Sequence, residues 1–406
     1  MFRVSETGAL MHTLTEPQWS REWDGVRNLL CVRLDAIGDV LMTGPALRAL
    51  RANHPERRLT LLTSPYGATI ARLMPEVDRV IEYAAPWMKA TPQRADAQHE
   101  YRMIDALRAQ AFDAAVIFTV CTQSPLPAAL LCYLAGIPRC LAHCHENPYQ
   151  LISHWVIDPE PQHVARHEVQ RQLDLVTHVG ARCSDRNLAL RIPSAALCRA
   201  RDELARAGVV ETAPRVVVHP GATAPSRRYP PEHFAAAARL LYQATGCQLV
   251  FTGSADERDL IERIRAAADV PSVSLAGRLE LAELAATLSL GHLLLVNNTG
   301  PAHMAAALGV PVVDLYAQTN LQHTPWEVEH RLLYHEVPCR GCLKSICPQG
   351  HHDCLRRVPP ERVAAAAEEL LRPRMRAGLW PTAVCGLIAD VGAPRADLNY
   401  GALPPT

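Results

Sequence analysis

Residues 28–34 (NLLCVRL) form a largely apolar run of strand length; a short loop containing Asp and Gly follows, and residues 43–53 have helical spacing. The same strand, loop, helix order recurs with LTLLTS at 59–64, a helix at 67–74, VIEY at 80–83, a helix at 103–110 and FDAAVIF at 112–118. Between residues 137 and 191 the pattern is His-rich and less regular, with a helix expected over 163–178, and 195–208 reads as a connecting helix. After Pro214 the alternation resumes: RVVVHPGA, a helix over 231–245, QLVFTGS, a helix over 255–268, SVSLAG, a helix over 281–290, HLLLVNNTG, a helix over 301–308, and VPVVDLYA. A final helix at 360–371 precedes a Pro-rich tail. Alternating βα units imply a parallel sheet covered by helices on both faces. Two such runs in one chain predict an α/β protein of two Rossmann-like domains facing across a cleft. In such sheets ligands bind at the carboxyl ends of the strands, here the loops after Leu34, Val218, Phe251 and Val296. Dehydrogenases, phosphoglycerate-type kinases and glycosyltransferases share this plan, so architecture alone does not choose among them.

Composition narrows the choice. The 406 residues carry 41 Lys plus Arg against 41 Asp plus Glu, and a balanced surface with no long basic run argues against a nucleic-acid partner. The first 25 residues contain acids, Pro and Trp and lack the apolar core, about 7–15 residues long, of a secretory signal. No stretch approaches the roughly 18 apolar residues that span a bilayer. Thirteen cysteines, an odd number and mostly scattered, suit a reducing cytoplasm better than a disulfide framework. The expected organisation is an extension over 1–25, a first domain over 26–195, a second over 196–358, a helix over 359–375 and a tail over 376–406.

The first loop, Arg33-Leu-Asp-Ala-Ile-Gly-Asp39, is not a dinucleotide fingerprint, since only Gly38 precedes the helix and no acid stands in the ribose position. That weighs against hydride transfer. Asp39 has two readings: a helix N-cap, or a carboxylate at a strand end facing the cleft as general base.

Three segments, RLDAIGDVLMTGPALRALRANHP, VVVHPGATAPSRRYPPEHF and VNNTGPAHMAAALGVPVVDLY, stand in an order and spacing that resemble the glycosyltransferase family 9 heptosyltransferases, over residues 28–371. The resemblance implies a GT-B enzyme moving heptose from ADP-heptose to a sugar hydroxyl of the lipopolysaccharide inner core by inverting single displacement, with no cofactor required. It also implies a nucleotide-sugar donor, a glycolipid acceptor and a cytoplasmic enzyme with peripheral contact at the inner membrane. By the same resemblance Asp39 is the base and Thr223 a phosphate hydrogen-bond donor, while Arg227 takes a basic phosphate-binding position usually held by Lys. A guanidinium offers a phosphate two parallel N–H groups. Thr299 and Gly300 present backbone N–H groups to the diphosphate at a helix start, His303 bonds phosphate, Asp256 holds the ribose, and Asn298 stands where many members have Asp. Plainer readings exist beside these: a solvated loop charge for Arg227, dipole compensation for Asp256, a packed helix residue for His303.

Cys339, Cys342, Cys347 and Cys354, with His351 and His352 among them, have the residue types and spacing of a structural Zn or Fe site; thiols or a reversible disulfide are the alternative. On the acceptor side, Lys89, Arg94, Arg139 and Arg166 are candidate contacts for anionic phosphates, and Trp87 and Met88 for a membrane surface. The rival functions are a GT-B transferase of another nucleotide sugar to a natural product or protein, and a non-catalytic nucleotide-sugar-binding protein.

Overall fold

The computed structural model describes residues 19–376 apart from 53, 90 and 161–164; the expected tail and most of the extension lie outside the described residues. β1 (Asn28–Arg33), β2 (Arg58–Thr63), β3 (Arg79–Glu82), β4 (Ala114–Ile117), β5 (Cys140–Cys144) and β6 (His154–Ile157) form one sheet in the order β3-β2-β1-β4-β5-β6. β7 (Arg215–His219), β8 (Gln248–Phe251), β9 (Ser272–Ser274), β10 (Leu293–Asn297), β11 (Val312–Leu315) and β12 (His330–Leu333) form a second, ordered β12-β11-β10-β7-β8-β9. Every pairing is parallel. Counted within its own half, each sheet has the same order, and its winding reverses between its first and fourth strands, β1/β4 and β7/β10. Those two points are where an open α/β sheet leaves a crevice.

The central strands are apolar because helices cover both their faces: β7 and β10 are buried at every position. Helices start and stop where the sequence signals it. The helix Pro231–Thr245 opens on Pro and ends at Gly246, whose φ of 64° is a left-handed cap that glycine adopts without a Cβ clash. The two halves share a hydrophobic cluster in which Ile37, Val40 and Leu41 lie with Ala302, Met304 and Ala305. Through this cluster the turn after β1 is joined to the turn after β10.

The helix expected over 43–53 is Gly44–Ala52, and a further short helix, Ile37–Met42, precedes it. They divide at Thr43, whose hydroxyl donates to the Asp39 carbonyl at 3.0 Å. β5, β6, β12 and the helix Asp353–Arg356 fall in stretches whose polarity hid them. β5 reads CLAHC, yet His143 is buried, its ring nitrogen 3.3 Å from the Arg171 carbonyl. Burial, reinforced by the Arg171 charge, lowers that imidazole's pKa to about 3, so it sits in the sheet as a neutral group. Among the described residues no helix is long and apolar enough to cross a membrane.

Candidate active site

At the first switch point β1 ends on Arg33, which is fully buried and central to a cluster of acids. Its Nε lies 2.8 Å from Asp35, its Nη1 2.8 Å from Glu168 and its Nη2 3.4 Å from Asp39. Gln123, from the loop after β4, donates to Asp35 at 2.6 Å, and Gln172 donates to Glu168 at 2.6 Å. Burial alone would neutralise Glu168; the Arg33 charge and His323 outweigh it and hold the carboxyl well below the usual range. Asp35 goes the other way, pushed up by burial more than Arg33 can offset.

Asp39 occupies the first turn of Ile37–Met42, and the N-cap position belongs to Ala36, so the capping reading of Asp39 is set aside. Its side chain is 17% exposed, open enough for a substrate hydroxyl to reach. The first turn meets the helix Gly300–Ala307 closely. A Cβ added at Gly38 would sit 2.7 Å from Cδ2 of His303, and one at Gly300 would sit 3.3 Å from Cγ2 of Ile37.

At the second switch point the loop after β7 carries Thr223, exposed, and Arg227, half-buried at the end of a single tight turn, Pro225–Arg227. Asn297, the last residue of β10 and fully buried, ties this loop down: its Oδ1 accepts from the Tyr229 amide at 3.1 Å and its Nδ2 donates to the Pro220 carbonyl at 2.7 Å. Thr299 caps Gly300–Ala307 without a side-chain hydrogen bond to it, its hydroxyl donating instead to the Asn297 carbonyl at 3.1 Å. His303 is buried, and burial first, then His323, His167 and Arg227, lower its pKa to about 3, so the ring is neutral. Asn298 is buried with its Nδ2 3.5 Å from the His323 carbonyl.

Asp256 lies exposed in the turn Ala255–Glu257 after β8. The carboxylate that faces the β7 loop is that of its neighbour Glu257, which accepts from the Ser254 amide at 2.8 Å and fills the space where a Gly221 Cβ would stand. The sequence reading missed Glu257, along with Asn297, Arg33, Glu168 and His323. For Arg33 a signal existed, a charge at the end of a buried strand; for the others nothing local marks them.

The structural metal reading of the Cys-rich segment is not supported. Cys339, Cys342, Cys347, Cys354 and His351 line one small cavity of about 20 Å³, but among the described residues no three His, Cys, Asp or Glu side chains are placed as a metal shell. Every described cysteine is a free thiol. The segment does hold the β7 loop, since Ser226 donates to the Ser345 and Lys344 carbonyls at 3.0 and 2.8 Å. Two of the proposed acceptor cations are spoken for internally: Arg94 pairs with Glu100, and Arg166 with Glu160 and Asp174. Trp87 and Met88 pack partly buried against the core.

The family model described as glycosyltransferase family 9 (heptosyltransferase) matches residues 100–352, more than half of the chain. The chain belongs to glycosyltransferase family 9. It is a glycosyl-transferring enzyme, and its two facing Rossmann-like sheets are the GT-B plan. It is 26% identical over 342 residues to lipopolysaccharide heptosyltransferase 3 of Escherichia coli, covering 82% of this chain and 96% of that one. Its fold matches the glycosyl transferase family 9 structure from Veillonella parvula DSM 2008, with a TM-score of 0.71, 21% identity and coverage of 86% of this chain and 98% of the other. It also matches E. coli heptosyltransferase WaaC with ADP, with a TM-score of 0.58, 19% identity and coverage of 84% and 99%.

Proposed function

We propose that this family 9 enzyme transfers a heptose from ADP-heptose to a sugar hydroxyl of the lipopolysaccharide inner core, with inversion in a single displacement. The half expected over 196–358 takes the donor and the half over 26–195 the acceptor. The observation that carries the reading is the contact between the two switch points: the turn bearing Asp39 abuts the helix start bearing Thr299, Gly300 and His303. A base and a diphosphate site are thereby brought to one cleft. The Asp39 carboxylate takes the proton of the acceptor hydroxyl as its oxygen bonds the anomeric carbon; the bond from that carbon to the diphosphate breaks, and ADP leaves. Arg227 and the N–H groups at the start of Gly300–Ala307 carry the negative charge that develops on the leaving group. Thr223 donates to the same phosphates. Asp256 and Glu257, in the turn after β8, hold the ribose in this reading, and the Glu257 carboxylate lies against Gly221 of the β7 loop. Adenine and heptose are supported by the relatives named above, a lipopolysaccharide heptosyltransferase and a heptosyltransferase with ADP.

The test is calorimetric binding of ADP, UDP and GDP and their sugar conjugates, followed by transfer assays of wild type and Asp39→Asn. The expected result is preference for ADP and ADP-heptose, with binding retained and turnover lost in the variant. Preference for UDP or GDP would remove the heptose assignment, and full turnover in Asp39→Asn would remove the base assignment.

A further inference from the structure

The segment after β11 crosses from the donor half to the base. Gln322 accepts at its carbonyl from the Glu168 amide at 3.0 Å and donates through Nε2 to Glu160 at 3.1 Å. The Thr324 carbonyl lies 2.9 Å from a ring nitrogen of His167, and Trp326 donates to the Arg186 carbonyl at 2.8 Å. Between these anchors His323 is held with its Nε2 3.8 Å from Oδ1 of Asp39 and 3.7 Å from Oε2 of Glu168. All three atoms are buried, and none has a hydrogen-bond partner among the described residues. Buried polar atoms left unbonded are costly and uncommon in folded proteins. A ring nitrogen within 4 Å of two such oxygens marks a contact that a small contraction would complete, as catalytic hydrogen bonds often tighten only with substrate bound.

The proton on the ring can be placed. Oδ1 of Asn320 accepts from the Gln322 amide at 2.9 Å, which fixes the orientation of that side chain and turns its Nδ2 toward Nδ1 of His323 at 3.2 Å. A neutral ring accepting there carries its proton on Nε2, and a charged ring carries one there too. The groups facing the ring are Asp39, Glu168, His167, Arg33 and His303. Burial disfavours its charge, but Glu168 and Asp39 prevail and raise its pKa.

We infer that His323 is a positioning residue for the transfer reaction: its Nε2–H, delivered from the donor half and shared with Glu168, orients the Asp39 carboxylate. The inference rests on the reading of Asp39 as base. It makes the base dependent on the donor half of the molecule, because the His323 carbonyl is itself bonded by Asn298, next to the Thr299–Gly300 helix start.

The test compares full-length wild type, Asp39→Asn, His323→Ala and His323→Gln in pH profiles of kcat, with KM for ADP-heptose. Misplacing a reacting group by about 1 Å can cost as much as about 10²-fold, so His323→Ala should lose about 10- to 100-fold in kcat while KM changes less than about twofold. Gln, which retains an N–H donor, should restore part of the lost kcat. An NMR titration of the His323 ring, requiring no substrate, should move to lower pH in Asp39→Asn. Turnover surviving in Asp39→Asn sinks the base reading and this inference with it. A dead Asp39→Asn together with an unchanged kcat in His323→Ala, an effect on KM alone, or an unchanged ring titration sinks the inference and leaves the base reading standing.

Discussion

Substituting Gly38 by Ala tests whether the two switch points are held in contact. The added Cβ would stand 2.7 Å from Cδ2 and 3.3 Å from Nε2 of His303, against about 3.5–4.0 Å for ordinary carbon contacts. The shortfall of nearly 1 Å cannot be absorbed by a flexible chain end, because the ring is buried within the packed helix Gly300–Ala307. Overpacking of this kind costs about 1–3 kcal/mol. Opposing it, Ala in a helix is favoured over Gly by up to about 1 kcal/mol, and Gly38 lies inside Ile37–Met42. The clash wins, and Gly38→Ala should lower Tm by several degrees and depress turnover, since relief requires the Asp39 turn to move away from the donor helix. In a His303→Ala background the obstacle is gone and only the helix preference remains, so the same substitution should raise Tm slightly. A thermal-unfolding double-mutant cycle therefore expects a change of sign. Equal effects of Gly38→Ala in both backgrounds would refute the contact.

Three further outcomes are expected. Arg33→Met leaves Asp35, Asp39 and Glu168 without their shared cation, and breaking a buried ion pair from one side costs about 3–5 kcal/mol; a variant as stable as wild type in urea unfolding would show that the cluster is not held by charge. Asn297→Ala leaves the Tyr229 amide and Pro220 carbonyl unbonded, at about 1–3 kcal/mol each, and should raise KM for the donor by freeing the Arg227 loop; a normal KM would detach Asn297 from the site. The pH dependence has a definite sign: His143 and His303 are lowered to about 3 and His167 to about 4, so below about pH 6.5 the unfolded chain binds protons that the fold refuses, and stability should fall by about 1 kcal/mol per pH unit per ring until the folded values are reached. Glu168, held below its usual range, adds to the loss below its unfolded value near 4.5. A Tm unchanged between pH 7 and 4.5 would contradict those buried neutral rings.

The repeating strand and helix pattern was legible because central parallel strands are buried on both faces and read as apolar runs. β1, β7, β8 and β10 all lie where the sequence puts them. Strands β5, β6 and β12 were not: β5 holds His143, β6 holds His154 and β12 holds His330 and Arg331. Their polar residues are accommodated by tertiary partners, such as Glu22, which lies 3.1 Å from the His154 ring, and no local pattern announces those partners. The boundary before Asp39 was missed for a related reason. Ala36 caps the helix without a side-chain bond, so no Ser, Thr, Asp or Asn flagged its start.

The site divides along the same line. Residues proposed to act through the backbone or through a loop next to a strand end, such as Thr223, Arg227, Thr299 and Gly300, stand in short contiguous motifs that the sequence displays. The environment of Asp39 is different in kind: Arg33 comes from β1, Glu168 from a helix after β6 and His323 from the loop after β11. Each alone reads as an ordinary charged or polar residue. What makes them a unit is that identical strand orders bring two switch points face to face, so that an acid from one half and an imidazole from the other are buried within 4 Å. A carboxylate in that position is governed less by its own motif than by whether the second half is docked against it, and for that reason removal of His323 is expected to appear in kcat before it appears in donor affinity.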